Sequence, residues 1–464
     1  MKMSLLPEQT PGVTESLPEK LEAARSRYAL YAVCFGFFLV LLDTTALNVA
    51  IGAMEQEFGG VISGLQWVVN SYTLVFASLL LVCGAVGDRC GARRLYQAGL
   101  VLFTGTSLLC ALSPGIHFLI GMRILQGLGA AMMLPASLSL LSHAFPRPEE
   151  RALAVAFWAS MVSLGFAAGP VLGGILTSYC GWRSIFWINV PVGIIAFAMV
   201  RQFVREANVP KPRHIDWAGQ LSLALALLCV TYGLIEAGKA GWGAPSILTA
   251  FALSIVLTAL FIFIERRSAS PVMPGSLFCK PTFSICVLMG LVLNFSMYGT
   301  LFIESLYLQN VRHCSALAAG LIILPFTGLP TVTTRIIGKR NGGSHIKPRL
   351  IIGQFIGAAG AAALALEFLT PGYWPILLGF GLSGVAMGFI MPAMTAGVLI
   401  TSPTNMSGLA SGILNSSRQA GGVLGVALMG TLMQQHQALG LLVSLGLVSS
   451  SFFFMAAATA CFIR

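Results

Sequence analysis

An all-α polytopic membrane protein is the fold class this sequence predicts, and three observations carry that reading. Of 464 residues, 56% are hydrophobic and only 9% are charged, too little charge to cover a soluble surface of this size. Fourteen apolar stretches are each long enough to cross ~30 Å of hydrocarbon as a helix. The stretches are continuous rather than alternating in polarity, which argues against membrane strands.

In chain order, residues 1–28 form a polar tail of mixed charge with Pro7, Pro11 and Pro18. The tail has no apolar core and no small-residue cleavage site, so it reads as a cytoplasmic segment rather than a signal peptide. Six apolar stretches follow within 29–203, at about 29–52, 65–86, 95–113, 116–142, 152–178 and 184–203. A polar connector at 204–216, "VREANVPKPRHID" from Val204, leads to two further stretches at 217–237 and 246–264. After a second connector at 265–281, the last six lie at 282–308, 315–337, 349–369, 373–398, 409–433 and 439–463, within 282–464.

An internal duplication organises these elements. "GLGAAMMLPA" (127–136) aligns with "GVAMGFIMPA" (384–393), and "GPVLGGIL" (169–176) aligns with "GGVLGVAL" (421–428). "GDRCG" (87–91) aligns with "GKRNG" (338–342), and the three offsets, 257, 252 and 251, agree closely. Helices 1–6 thus repeat as helices 9–14 in the same orientation, and helices 7 and 8 read as an inserted hairpin. Two parallel six-helix bundles with a site between them near the midplane is the logic of a rocking transporter.

Charge gives the orientation. With the N-terminus inside, the inner segments carry 22 Lys/Arg and the outer loops carry three, Arg183, Lys239 and Arg312. This positive-inside bias places both termini in the cytoplasm. The net charge of +11 is therefore a membrane-topology signal, and no nucleic-acid partner is expected. The ten cysteines are scattered without a C-x-x-C pair and read as small buried hydrophobes.

Two charges lie deep in apolar sequence. Asp43, in "LLDTTALNVA", is the only formally charged side chain between Tyr28 and Met54, and its burial costs on the order of 3 kcal/mol on insertion scales. Arg123, in "LIGMRILQGLGAA", sits about two turns inside and must face protein or water unless it snorkels outward. Burial and an approaching guanidinium push a carboxyl in opposite directions. A carboxylate meeting these environments in turn would bind a proton in one state and release it in the other. A purely structural hydrogen bond is the alternative for Asp43.

Other motifs depend on backbone geometry. In "GAVGDRCGARR", glycines permit a tight turn and Asp88 can pair with a base or cap a helix. In "GFAAGPVLGG", four glycines allow close helix approach and Pro170 removes a helix hydrogen bond. Arg418, in "NSSRQAGGVLGVA", is a further intramembrane cation that either contacts substrate, locks a gate or makes a structural pair.

These motifs together resemble those of the major facilitator superfamily, in its fourteen-helix drug:proton antiporter branch, over nearly the whole chain. "PASLSLLSHAFP" (135–146), "GLIEAGKAGWG" (233–243) and "SPVMPGSLF" (270–278) resemble the methylenomycin-type resistance exporters. The resemblance implies a major facilitator fold of two six-helix bundles plus the inserted hairpin. It implies proton coupling at Asp43 and Arg123, a cytoplasmic loop latch at Gly84, Asp88, Gly91 and Arg93, and an antiporter hinge or seal at Gly165, Gly169, Pro170, Gly173 and Gly174. Val86 and Ala92 depart from the loop pattern, and Ile51 and Gly52 replace the usual Leu-Pro after the first-helix motif. Glu304 is the second acidic candidate, with Glu236 and Glu367 read as snorkelling near outer helix ends. Asn48, Tyr72, Gln126, Trp158, Asn294, Tyr298 and Arg418 are the candidates for the substrate cavity.

The function expected is proton-coupled efflux of small hydrophobic or cationic drugs by alternating access, from a plasma membrane, most simply a bacterial inner membrane. The chain is expected to work as a monomer, without cofactor or metal, on the proton-motive force. An exporter of an endogenous metabolite is the alternative, and a non-transporting scaffold or sensor a distant one. No nucleotide-binding P-loop, zinc motif or nucleophile elbow occurs in the sequence, which leaves ATP-driven transport and the common hydrolase chemistries without a motif.

Overall fold

In a computed structural model of the protein, residues 17–59, 62–206, 216–268, 271–340, 346–368, 370, 372–403, 406–435 and 437–463 are described. Most of the N-terminal tail, most of the first connector and part of the "GKRNG" loop lie outside these residues. The described chain is almost wholly helical. The first six helices are α1 (Leu17–Phe58), α2 (Ile62–Cys90), α3 (Ala92–Ala111), α4 (Ile116–Ala144), α5 (Pro148–Cys180) and α6 (Ser184–Phe203). The hairpin is α7 (Trp217–Ala240) and α8 (Pro245–Arg267), followed by the four-residue α9 (Gly275–Phe278). The last six are α10 (Pro281–Asn310), α11 (Ala316–Arg340), α12 (Ile346–Ala365), α13 (Trp374–Thr401), α14 (Ser407–Gln435) and α15 (Gln437–Phe462), with a 3-10 turn at Leu366–Phe368.

Among the described residues, fourteen helices have twenty residues or more, and twelve of these are also apolar enough to cross a membrane. The two that miss the second condition are α3 and α14, which carry Arg93 and Arg94 and the polar run "NSSRQ" respectively. Local chemistry starts the helices where the sequence allows it. Proline opens α5, α8 and α10, where a missing N–H costs nothing, and Asp216 caps α7 by accepting from the Gly219 N–H at 2.9 Å.

The duplication read in the sequence reappears as packing. Within the first six helices α1 packs on α5 and α6, α2 on α4, and α3 on α4 and α6; in the last six α10 packs on α14 and α15, α11 on α13, and α12 on α13 and α15. The aligned glycines serve the same joints. A Cβ on Gly127 would run into the Tyr72 backbone, joining α4 to α2, and one on Gly384 would meet the Pro325 carbonyl, joining α13 to α11. The bundles meet through α2 against α14 and α5 against α11, again a repeated pair, with α1 crossing α10. The hairpin lies over one of these seams, since α7 touches both α2 and α14.

The seam is asymmetric along the helix axes. At the end where α1 finishes and α2 begins, here the far end, one continuous apolar core joins Ala46–Met54 of α1 to Leu301–Leu308 of α10. Toward the end where α1 begins, the near end, the first bundle has a separate core around Val33, Tyr96 and Leu140. Hydrogen bonds follow the same division. Ser305 Oγ donates to the Asn48 carbonyl at 2.6 Å, Gln309 Nε2 to the Val49 carbonyl at 3.0 Å, and Asn310 Nδ2 to Glu55 at 2.6 Å. From α2, Gln66 Nε2 donates to the Val426 and Ala427 carbonyls of α14 at 3.0 and 2.7 Å. The two bundles are therefore closed on one another at the far end.

Candidate functional site

The deepest polar feature sits inside the first bundle. Asp43 of α1 is fully buried, and Arg123 of α4 is 1% exposed. The Arg123 Nη1 donates to Asp43 Oδ2 at 2.5 Å, and its Nε donates to the Val68 carbonyl of α2 at 3.2 Å. Asp43 Oδ1 accepts from Gln126 Nε2 at 3.1 Å and from Asn189 Nδ2 at 3.0 Å. Gln126 also accepts from Arg123 Nη1 at 2.8 Å and donates to Ser107 Oγ at 2.8 Å. The guanidinium rests on the Tyr72 ring, 4.2 Å from its centroid, a contact suited to a desolvated cation.

Both Asp43 oxygens are bonded, Oδ2 to Arg123 and Oδ1 to Gln126 and Asn189. A buried pair of this kind is stable only when its remaining lone pairs and protons are also bonded. Gln126 and Asn189 bond the carboxylate, the Val68 carbonyl bonds the guanidinium, and Ser107 accepts from both amides, so four helices besides α1 build one network around the pair.

Sequence reasoning placed Gln126 on the substrate cavity, and the structure buries it within this network. It did not single out Asn189 or Ser107. The signal for Asn189 is present in "FWINVPVG", one polar amide in an apolar helix, but uncharged polar residues are common enough in membrane helices to conceal it.

The antiporter glycines connect this site to the bundle seam. A Cβ on Gly165 would lie 2.9 Å from the Phe38 carbonyl, one on Gly169 would overlap Thr45, and one on Gly173 would lie 2.8 Å from Ala46. Spaced by four residues, these three form one stripe of α5 against the stretch of α1 that carries Asp43. Gly174 faces the other way, where a Cβ would lie 2.7 Å from the Ala316 carbonyl of α11, and the Pro170 carbonyl abuts Gly320. One helix thus holds Asp43's helix on one side and the opposite bundle on the other.

The remaining candidates are more dispersed. Tyr72 lies under the Arg123 guanidinium in the first bundle and Tyr298 lies against Gly422 in the second, and Arg418 Nε reaches Asn294 Oδ1 at 3.4 Å. Asn48 bonds its own helix through the Thr44 carbonyl at 2.9 Å, and Trp158 stacks on Phe37 with centroids 5.1 Å apart. At the position of the repeat corresponding to Arg123, Phe380 packs on Phe326 at 5.5 Å, so the second bundle replaces an ion pair with an aromatic pair. Glu304 is fully buried in α10, and Glu367, expected to snorkel, is only 3% exposed. Glu236 accepts from Trp67 Nε1 at 2.9 Å, tying α7 to α2.

At the near end the "GAVGDRCGARR" motif makes a one-residue turn. Gly91 separates α2 from α3 at φ 97°, a left-handed conformation that favours glycine. A Cβ there would also lie 2.5 Å from the Glu206 carboxylate. Glu206, just beyond α6, accepts from the Arg93 N–H at 3.0 Å and pairs with Arg94 at 3.9 Å, while Arg93 Nη2 donates to the Arg201 carbonyl at 2.7 Å. Asp88 lies at the end of α2, one turn before this bend, and Gly84 faces Pro135 of α4.

Comparison with known proteins agrees with this architecture. Residues 33–426 match the Major Facilitator Superfamily. The chain is 34% identical over 409 residues to the methylenomycin A resistance protein of Streptomyces coelicolor, covering 87% of this chain and 84% of that protein. It is 33% identical to the multidrug resistance protein Stp of Mycobacterium tuberculosis over 404 residues, covering 87% and 75%. In fold it is similar to a bacterial homolog of the human lysosomal transporter Spinster, solved inward-facing and unoccupied, with a TM-score of 0.67 and 17% identity over 97% of this chain and 98% of that one. The chain belongs to the Major Facilitator Superfamily and is a multi-pass secondary transporter, not an enzyme.

Proposed function

We propose that this protein is a proton-coupled exporter of small drug-like molecules, working by alternating access between its two bundles. The observation that carries the reading is the Asp43–Arg123 pair, one acid and one base buried together at the helix joint that the antiporter glycines control. Relatives named for methylenomycin A resistance, multidrug resistance and tetracenomycin C export support a drug or antibiotic as cargo.

In this reading all fourteen long helices cross a bacterial inner membrane, both termini are cytoplasmic, and the near end faces the cytoplasm. With the far end closed, the substrate site opens inward and Asp43 has released its proton. Cargo enters between the bundles near Tyr72, Tyr298, Asn294 and Arg418. Opening of the far end moves α5 against α1, loosens Asp43 from Arg123 and lets the carboxylate take a proton from outside. One charge crossing ~100 mV supplies about 2.3 kcal/mol, comparable to the ~1.4 kcal/mol of each pKa unit by which the carboxyl changes between states.

The test is transport in proteoliposomes with an imposed pH gradient, screened over antibiotics and lipophilic cations. Wild-type protein concentrates its cargo against a gradient. Asp43→Asn abolishes that accumulation and retains gradient-independent exchange of cargo, which reports a folded carrier. Full gradient-driven transport by Asp43→Asn rules out proton coupling at this residue.

A further inference from the structure

A second buried acid site lies at the far end of the second bundle, beside the contact that closes the two bundles. Glu304 of α10 is fully buried, and neither of its carboxylate oxygens has a hydrogen-bond partner among the described residues. Glu367, in the turn after α12, is 3% exposed, and its two oxygens are likewise unpartnered. These two acids and Arg312 are one another's charged neighbours. Arg312 donates to the Glu367 carbonyl at 3.4 Å and lies 5.8 Å from the ring centres of Tyr307 and Tyr373. Tyr307 on α10, Cys314 in the following loop and Tyr373 before α13 are the other titratable groups around it.

Charge balance decides the state of this cluster. Two carboxylates and one guanidinium leave a net negative charge in a pocket without hydrogen bonds to the acid oxygens. Such a charge is far costlier than a neutral carboxyl. The next residue along, Ser305, makes the 2.6 Å bond to Asn48 that links α10 to α1 across the seam, and Gln309 and Asn310 continue that contact toward the surface.

We propose that Glu304 and Glu367 together form a proton-binding site that must be occupied for the far end to close. A single proton on either acid balances the remaining carboxylate against Arg312, keeps the pocket neutral and lets α10 seat against α1. Its loss leaves a buried charge whose relief is opening of the seam to water. Burial pushes the Glu367 carboxyl up to about 7, with Arg312 opposing, so this site changes occupancy in the neutral range. The inference rests on the orientation proposed above, in which the far end faces outside. There the proton enters and leaves on the same side, so it sets when the carrier closes and adds nothing to the protons carried per cargo molecule.

The experiment uses the full chain in lipid nanodiscs, with spin labels on non-canonical residues at Gln56 and Val311 to read the α1–α10 distance. In wild type, raising the pH from about 5 to about 9 moves at least half of the population to a longer distance, with a midpoint near 7. In Glu304→Gln, which keeps the shape of the protonated acid, and in Glu367→Gln, the short distance persists at all pH values. A pH-independent distance in wild type, or a wild-type pH response in Glu304→Gln, would overturn the proposal. Failure of Asp43→Asn to lose gradient-driven transport bears on the coupling reading alone, because the distance measurement requires no gradient.

Discussion

Arg123 holds Asp43 from one side while Asn189 holds it from the other, and the three residues come from α4, α1 and α6. The carboxylate is therefore a joint among three helices as well as a charge. Moving any one of them changes the bonds it can accept, which is how a conformational change can become a change in proton affinity.

Removing the guanidinium should be more damaging than removing its amide partner. Arg123→Gln leaves Asp43 as an uncompensated buried charge, at about 3–5 kcal/mol. Asn189→Leu removes one neutral donor to that charge, at about 1–3 kcal/mol. Thermal unfolding in detergent should rank the two in that order, and gradient-driven transport by Asn189→Leu should persist with a displaced pH profile. Equal stability for both variants would contradict the network described.

The glycines of α5 make two contacts, on α1 and on α11, that can be tested separately. Gly169→Val drives a side chain into Thr45 and should disturb the Asp43 helix, whereas Gly174→Val meets Ala316 and Leu317 and should hold the far end apart. Each should lower transport at least about fivefold, on the overpacking cost of about 1–3 kcal/mol. Hydrogen exchange distinguishes them: it should rise at the far ends of α5 and α11 in Gly174→Val, and at the middle of α1 in Gly169→Val.

The near-end turn offers a test by double substitution. Gly91→Ala is penalised by its positive-φ backbone, about 1–3 kcal/mol, and by the Glu206 carboxylate 2.5 Å from the new Cβ. Glu206→Ala removes a cap from the first turn of α3, about 0.5–2 kcal/mol. The two penalties share one contact, so the double variant should be less destabilised than their sum in a thermal melt. Strict additivity would show that the backbone alone requires glycine.

Stability should also fall as the pH rises through the range set by Glu367. Its carboxyl is held at about 7 in the folded chain, against an ordinary value of 4.5. Between these values the folded state keeps a proton that the unfolded state has released. Stability is then fully present below about 4.5 and declines by up to about 1.4 kcal/mol per pH unit until about 7. Thermal melts should show this slope in wild type and a flatter one in Glu367→Gln; equal slopes would remove Glu367 as its source.

The sequence by itself determined the membrane class, the helix order and the duplication, because hydropathy and glycine spacing are local properties of the chain. Asp43 and Arg123 stood out for the same reason, as charges too costly to sit in apolar helices without a purpose. What the tertiary structure decided is which groups meet. Asn189 joins Asp43 because α6 packs beside α1, Ser107 joins the two amides because α3 packs on α4 and α6, and no local pattern encodes that convergence. Glu367 read as an interfacial acid because its neighbours in sequence place it at a helix end. It is buried because the turn carrying it packs against α12 and α13 and meets Arg312 just beyond α10, so that Glu304 and Arg312, 63 and 55 residues away, become its electrostatic surroundings.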